Sequence, residues 1–325
     1  MFEPQSYGWA LVCMGLTMLC WGSWANARKL TPGFRFPLFY WDYVSGLLAA
    51  TVVLGLTLGT MGSTGLGLTD DLAQAATGKL ALAVASGVDF NVANLLLVAA
   101  IEAAGLAVAF PVGIGLALVV GAVSSYVVAP AGNAVMLFGG VGLVLAAIVC
   151  DAAAYRMRER ERATRRGIGL SLAAGLMMGT FYPLVARAMR GEHAAGPYSA
   201  AMFFSLGVAL CALPTNGALM RWPIDGGKPT TMRAYGDAPM RWHVWGAVGG
   251  AVWAVGATLN FVAAGRVGPA VSYAMGQGAT MVTAAWGVFV WREFGGAPRG
   301  TRWLLGAMFA LFVAGLTLVA LAPLH

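Results

Sequence analysis

The stretch YRMRERERATRRG, residues 155–167, is the one strong break in composition in this chain of 325 residues. It holds six arginines and two glutamates, and long apolar runs lie on both sides of it. Five such runs precede it and five follow it, so it divides the chain into two halves. The chain is 59% hydrophobic and only 10% charged, whereas soluble domains carry about 25% charged residues. The sequence therefore predicts an all-α polytopic membrane protein.

The apolar runs have the length of membrane spans, because a helix of about 20 residues crosses the roughly 30 Å hydrocarbon core of a bilayer. We predict ten transmembrane helices over residues 7–27, 38–60, 79–101, 104–125, 132–150, 167–187, 197–219, 243–264, 267–291 and 302–322. This gives a five-helix repeat over 1–154, a basic cytoplasmic linker over 155–166 and a second five-helix repeat over 167–325. The residues before the first span lack the basic start of a signal peptide, so we expect that span to be retained.

The net charge of +7 is explained by its distribution along the chain. With ten spans, the loops on one side carry 16 of the 20 lysines and arginines, and the other side holds only Lys79, Arg187, Arg190 and Arg266. The positive-inside rule places the basic side in the cytoplasm and both termini outside. Membrane topology thus explains the basic excess, and we expect no nucleic acid as a partner. The expected partner is the lipid bilayer of the cell (inner) membrane.

A weak internal repeat relates the two halves. GLAVAFPVGIG (105–115) aligns with GPAVSYAMGQG (268–278), with identities at three glycines, one alanine and one valine. Each stretch opens the fourth span of its half. Because each half has an odd number of spans, the halves would have opposite orientations. An inverted repeat of this kind predicts a site near the membrane midplane that is exposed to each side in turn.

Several motifs resemble a known family. FYWDYVSGLLAA (39–50), ANLLLVAAIEAAGLAV (93–108) and WGVFVWREF (286–294) are similar to segments of the ureide permease-like branch of the drug/metabolite transporter superfamily. The resemblance covers nearly the whole chain. It implies secondary transport, typically proton-coupled uptake of allantoin, uracil and related nitrogenous heterocycles. The matched positions are Asp42, Tyr43, Asn94, Trp286 and Glu293, and they do not include Asp89.

Two acids are candidates for proton coupling. Asp89 lies in the middle of the third span, where an ionised carboxylate costs about 2.5–3.5 kcal/mol on insertion scales, so we expect it to face protein or water. A carboxyl group at that depth can exchange a proton with either side, which is the chemistry that coupling requires. Asp42, in the second span, is the second candidate. The alternative roles are a structural hydrogen bond for Asp89 and an ion pair with Arg28, Lys29 or Arg35 for Asp42.

Polar and aromatic residues within the spans are candidates for binding a solute. Asn91 and Asn94 lie about 60° apart on one helix face, whereas Asp89 lies about 160° from Asn91, so the third span is predicted to be an inner helix. Carboxamides donate and accept hydrogen bonds together, which suits an amide-bearing or hydroxyl-bearing solute. Helix–helix contact is the alternative. The further candidates are Gln277, Trp253, Tyr273, Asn260 and Trp24, for which packing or interface anchoring is the alternative.

The sequence thus predicts an alternating-access, proton-coupled importer of a small polar nitrogenous metabolite such as a ureide or nucleobase. A sugar importer and a metabolite or drug exporter of the same superfamily are the alternatives. The three histidines and four cysteines lack metal-ligand spacing, so we expect neither an enzyme, nor a metal site, nor a cofactor. Both a monomer and a homodimer fit the sequence.

Overall fold

The helices of the protein are described by a computed structural model, which covers residues 1–62, 64–158, 164–223 and 227–325. Of the predicted linker, residues 159–163 lie outside the described residues. Its two ends are helical, since α7 ends at Arg158 and α8 begins at Arg165.

Nine of the described segments are helical, long and apolar enough to cross a membrane. They consist of α1 (Tyr7–Ser23) with the short α2 (Asn26–Lys29), α3 (Phe36–Leu56), α5 (Thr77–Ala104), α6 (Leu106–Val128), α7 (Ala134–Arg158), α8 (Arg165–Ala188), α9 (Pro197–Arg221), α11 (Met240–Val267) and α14 (Arg299–Leu321). Two shorter helices, α4 (Leu68–Gln74) and α10 (Met232–Gly236), lie in connections between spans. The prediction of a polytopic α-helical protein is confirmed.

The predicted ninth span, 267–291, differs from the expectation of a continuous helix. It consists of α12 (Pro269–Gly276), α13 (Ala279–Ala285) and a π-helical turn (Trp286–Val290). The break falls at Gln277, which has a glycine on each side, and glycine lowers helix stability by roughly 1 kcal/mol relative to alanine. Nine helices of the described residues qualify as spans by length and composition, and the tenth span stays a prediction. A last turn, Ala322–Leu324, is a 3₁₀-helix.

Two reciprocal glycine contacts bring helices together. A Cβ atom added to Gly87 of α5 would lie 1.9 Å from the Phe204 carbonyl oxygen of α9, and one added to Gly207 of α9 would lie 2.1 Å from the Val84 carbonyl oxygen. The backbones of these helices touch because neither contact residue has a side chain, as is common where membrane helices pack closely.

The same arrangement recurs between α3 and α11. A Cβ atom on Gly46 would lie 2.0 Å from the Ala247 carbonyl oxygen, and one on Gly250 would lie 1.8 Å from the Tyr43 carbonyl oxygen. In addition, α5 packs against α8, α1 packs against α11, and α7 packs against α14. The helices at the centre of the bundle are therefore α5 and α11.

Two glycines turn the chain sharply between neighbouring spans. Gly105 joins α5 to α6 with φ of 73°, and Gly268 joins α11 to α12 with φ of 86°. Positive φ values of this size are readily adopted by glycine and are costly for other residues. At the same end of the bundle as Gly268, the hydroxyl of Tyr7 in α1 donates to the carbonyl oxygen of Ala320 in α14, so the two chain ends lie side by side.

Candidate functional site

A cavity of about 420 Å³ lies among α1, α5, α6, α7, α8, α11 and the broken segment α12–α13. It extends from an aromatic cluster in the middle of the bundle to the helix ends that carry Lys29 and Glu293. A volume of this size is sufficient for a small solute. Its wall is mostly apolar, with few polar side chains.

The inner end of the cavity is formed by stacked aromatic rings. Trp253 of α11 stacks on Trp21 of α1, with ring centroids 5.6 Å apart and an interplanar angle of 16°. Phe90 of α5 contacts Trp253 at 4.5 Å, and Phe181 of α8 contacts Phe90 edge-on at 5.3 Å. The Trp21 indole N–H donates to the Trp253 carbonyl oxygen at 3.2 Å, so this ring is held in place. Phe90, Phe181 and Trp253 are at most 6% exposed, and Trp21 is half-buried, so these rings form an apolar inner wall of the cavity.

Most polar groups on the cavity wall already have partners. The Trp286 indole N–H donates to Ser23 Oγ at 2.9 Å, and the Trp291 indole N–H donates to Asn26 Oδ1 at 2.6 Å. Thr283 Oγ1 donates to the Gly22 carbonyl oxygen at 3.1 Å. These hydrogen bonds tie the broken segment to the end of α1. They leave little polarity available to a solute.

Two polar side chains of the wall differ from the rest. The half-buried carboxamide of Gln277 makes no hydrogen bond to any described residue, and it lies at the break between α12 and α13. Asp151 of α7 is 8% exposed, and its Oδ1 atom likewise lacks a hydrogen-bond partner within the described ranges. The cavity therefore offers a solute two polar groups. The Gln277 carboxamide can donate and accept hydrogen bonds, and Asp151 supplies a carboxyl group.

An ion pair lies beside Asp151, toward the end of the cavity. Glu293, which follows the π-helical turn, pairs with Lys29 and accepts a hydrogen bond from Tyr155 at 3.0 Å. Tyr155 lies one turn beyond Asp151 on α7, and both line the cavity. Lys29 and Glu293 both line the cavity, so this ion pair lies on its wall.

Of the predicted binding residues, Trp24, Trp253 and Gln277 line the cavity. Trp24 also contacts the ring of Tyr43 at 4.9 Å. Whether these three residues bind a solute stays a prediction. The structure brings them together from α11, from the break in the ninth span and from the turn after α1.

The polar residues of the third span lie off the cavity. Asp89 accepts a hydrogen bond from Thr180 of α8 at 2.8 Å. Asn91 accepts a hydrogen bond from the Tyr40 hydroxyl at 2.7 Å and donates one to Thr215 at 3.1 Å. Asn94 donates to the Tyr40 hydroxyl at 3.5 Å. The two faces of α5 thus bond to different helices. The side between them, with Phe90, faces the cavity.

The remaining predicted residues are also bonded within the bundle. Tyr273 donates to the carbonyl oxygens of Ala117 and Met178 at 3.0 and 3.1 Å. Asn260 accepts from Tyr182 and donates to the Ser272 carbonyl oxygen at 3.1 Å. Both side chains tie neighbouring helices together.

Asp42 is buried on another side of α3, where it contacts Nδ1 of His243 at 2.9 Å and accepts from Tyr235. None of the three predicted cationic partners is its partner among these contacts. Tyr235 lies in α10, outside the spans. Burial, together with the Asp42 carboxylate, holds the pKa of Tyr235 above its usual range, so its hydroxyl stays protonated and donates.

Comparison with known proteins decides the family. The family model described as ureide permease matches residues 154–322, which is just over half of the chain. The chain belongs to the ureide permease family. Members of a permease family are transporters, so the predictions of a ureide permease-like transporter and of a protein that is not an enzyme are confirmed.

The curated relatives of this permease align over whole chains. Ureide permease 1 of Arabidopsis thaliana is 24% identical over 390 aligned positions, and ureide permease 4 of the same plant is 25% identical over 401. Each alignment covers 100% of both chains. A crystal structure of a protein 18% identical to this one superimposes with a TM-score of 0.66 over 96% of each chain, which shows a shared fold.

Sequence analysis missed several wall residues of this permease, above all Asp151, Trp21 and Phe181. Asp151 lies just beyond the predicted fifth span, 132–150, whereas α7 continues to Arg158. An acid followed by AAAY would have been a signal, since three alanines favour helix continuation. Within the described residues, no group of three or more His, Cys, Asp or Glu side chains is placed to hold a metal ion.

Proposed function

We propose that this permease is a secondary transporter that takes up a ureide or a nucleobase together with protons, by alternating access. The observation that carries the proposal is the cavity. Its aromatic rings and the Gln277 carboxamide, which bonds to no residue of the described ranges, match a flat solute rich in amide groups. Planar rings gain about 0.5–1.5 kcal/mol per aromatic contact beyond the apolar area that they bury. The names of the plant relatives, ureide permeases, support the same solute class.

Alternating access is supported by the packing of the two halves. The internal alignment pairs Gly105 with Gly268, so Gly87 of α5 corresponds to Gly250 of α11. Both lie in one of the reciprocal glycine contacts, and both helices end at a glycine with positive φ. We therefore propose two inverted five-segment repeats, in which 267–291 is the ninth segment despite its break. This is the plan of the drug/metabolite transporter superfamily, where we place the protein.

Topology follows from the same proposal. The positive-inside rule places the basic loops in the cytoplasm. The protein then lies in the inner membrane with both termini outside. The cavity reaches Lys29 and Glu293, which lie toward the basic loops, so the conformation described is open to the cytoplasm. The cavity is lined by residues of one chain, and a homodimer stays a prediction.

Proton coupling needs a carboxyl group that can be loaded and unloaded during the cycle. Asp89 and Asp42 are the candidates that the sequence nominates. Each is hydrogen-bonded away from the cavity in the conformation described. Either could serve only if the other conformations of the cycle expose it to water.

The experiment is uptake into proteoliposomes of four radiolabelled solutes, allantoin, uracil, rhamnose and glucose, with and without an inward proton gradient. We expect allantoin or uracil to accumulate above its external concentration when the gradient is present, and to equilibrate only when the gradient is absent. Uptake of a sugar alone would favour the sugar importer instead. Transport of none of the four solutes would contradict the proposal.

A further inference from the structure

Asp151 occupies a position on the cavity wall that the proposed function leaves without a role. Its helix, α7, packs against α6 and α14, and this packing directs the carboxyl group into the cavity. The side chain is 8% exposed, and Oδ1 has no hydrogen-bond partner among the described residues. Buried polar atoms usually have partners, so an unpaired carboxyl oxygen on a cavity wall points to a ligand.

Within the described ranges, no charged group compensates Asp151. Of the described wall residues, Lys29 carries the positive charge, and it pairs with Glu293. Glu293 itself adds a negative charge near Asp151. On α7, Tyr155 donates its hydroxyl hydrogen to Glu293.

The helices packed against α7 offer no buried partner either. The titratable residues of α14 are Arg299 and Arg302, and both are exposed in its first turn. The titratable residue of α6 is Tyr126, near the C-terminal end of that helix. Arg156 of α7 is exposed. Asp151 therefore faces the cavity with the negative charge of Glu293 beside it, and with the cation of the cavity already engaged.

A buried ionised carboxylate without a partner costs several kcal/mol, and proton binding removes that cost. We propose that Asp151 is the carboxyl group of the cavity that binds the coupling proton. This inference rests on the proposed function and names the residue for it. The proton passes from cavity water to the Asp151 carboxyl group, which lines the cavity, and it returns to water when the cavity faces the other side.

The proposal also links the proton to the solute. The protonated carboxyl group donates its O–H to a carbonyl oxygen of the solute, whereas the ionised group can only accept. A carbonyl-bearing solute therefore binds better when the proton is present, and by linkage the proton binds better when the solute is present. Favourable coupling of this kind makes the two move together.

The test compares wild-type protein with Asp151→Asn, using allantoin as the probe. In proteoliposomes, the variant should lose accumulation driven by an inward proton gradient, at least tenfold. Its exchange of internal for external allantoin should fall by less, because the Asn carboxamide still donates a hydrogen bond, as the protonated carboxyl group does. In weakly buffered detergent solution, allantoin binding should make the wild-type protein take up protons, and the variant should take up none. Asp70→Asn makes the same chemical change at an exposed position of α4 and should behave as wild type in both measurements.

The outcomes separate this inference from the proposed function. Gradient-driven accumulation by Asp151→Asn equal to wild type would overturn the role of Asp151 and leave the transporter proposal standing. The same holds if Asp89→Asn or Asp42→Asn abolishes accumulation while Asp151→Asn does not. If Asp151→Asn binds no allantoin, Asp151→Glu decides, because it must restore both binding and proton uptake. A wild-type protein that transports no solute of the panel overturns both proposals.

Discussion

The fourth segments of the two halves differ where their sequences align. In the first half, α6 is one continuous helix from Leu106 to Val128, although Pro111 lies within it. In the second half, the corresponding segment is broken between α12 and α13 and ends in a π-helical turn. The alignment that pairs Gly105 with Gly268 also pairs Ile114 with Gln277, and both of these side chains line the cavity.

The comparison separates scaffold from solute contacts. The reciprocal glycine contacts are alike in the two halves, so they set the distance between helices. The cavity contacts are unlike: Phe90 corresponds to Trp253, and Ile114 to the unpaired Gln277. The protein thus has a near-symmetric frame around an asymmetric cavity. Substitutions at equivalent glycine contacts should therefore destabilise the protein to the same extent in both halves. Substitutions of cavity residues should weaken solute binding more when they lie in the second half.

The largest effect is expected from filling the glycine contacts. Gly250→Leu and its counterpart Gly87→Leu each push a side chain into a backbone carbonyl group, which should cost about 3 kcal/mol or more. We expect loss of the monodisperse peak in size-exclusion chromatography for both variants. Gly142→Leu is the control, because nothing lies within 4 Å of a Cβ atom there. A folded Gly87→Leu beside an unfolded Gly250→Leu would contradict the equivalence of the two frames.

A smaller effect is expected from the aromatic pair. Trp253 stacks on Trp21 and on Phe204, the latter at 5.8 Å and 15°, whereas Phe90 makes edge-on or tilted contacts. Trp253→Ala removes its own ring from the cavity wall and the ring on which Trp21 stacks. If each ring contributes about one aromatic contact to the solute, allantoin binding should weaken about 30-fold, at 10-fold per 1.4 kcal/mol. Equilibrium binding of labelled allantoin to the purified protein measures this.

The control for that variant is Trp245→Ala, an exposed tryptophan of the same helix, which should bind as wild type does. Phe90→Ala should lose less affinity than Trp253→Ala. Equal losses would show that the two halves contribute equally to the aromatic end of the cavity.

The smallest effect concerns Gln277. Gln277→Ile gives this position the residue type of its counterpart and removes a donor and an acceptor, each worth about 0.5–1.5 kcal/mol. We expect allantoin affinity to fall about tenfold, with the thermal transition unchanged. The same exchange at exposed Gln74 in α4 is the control. An unaltered affinity would mean that the break in the ninth segment does not serve the solute.

Much of the frame could be predicted from the sequence, because length and hydropathy decide whether a helix can span a bilayer. The break in the ninth segment could not be predicted, because an apolar composition does not show whether the sequence GQG interrupts a helix. The polar residues of the third span were predicted to lie on an inner helix, and α5 is one. Their partners could not be predicted, because Tyr40, Thr180 and Thr215 come from distant parts of the chain.

The cavity was harder to predict than the frame for a related reason. A polar residue in a span attracts attention, yet most such residues are bonded to other helices, as Asn260 and Tyr273 are. The acid on the cavity wall, Asp151, lies near a helix end, where acids are common. What distinguishes it is that Oδ1 has no partner in the part of the chain that the structure describes, and this depends on the packing of α7.

The one-residue turns at Gly105 and Gly268 bear on how the protein can be engineered. Each joins two spans without a loop, so an epitope tag or a fluorescent domain inserted there would force two packed helices apart. The connection from Leu56 to Leu68 is longer and largely exposed, apart from residue 63, which lies outside the described ranges. Labels for topology mapping or single-molecule measurements therefore belong in that connection, where they leave the corners of the frame intact.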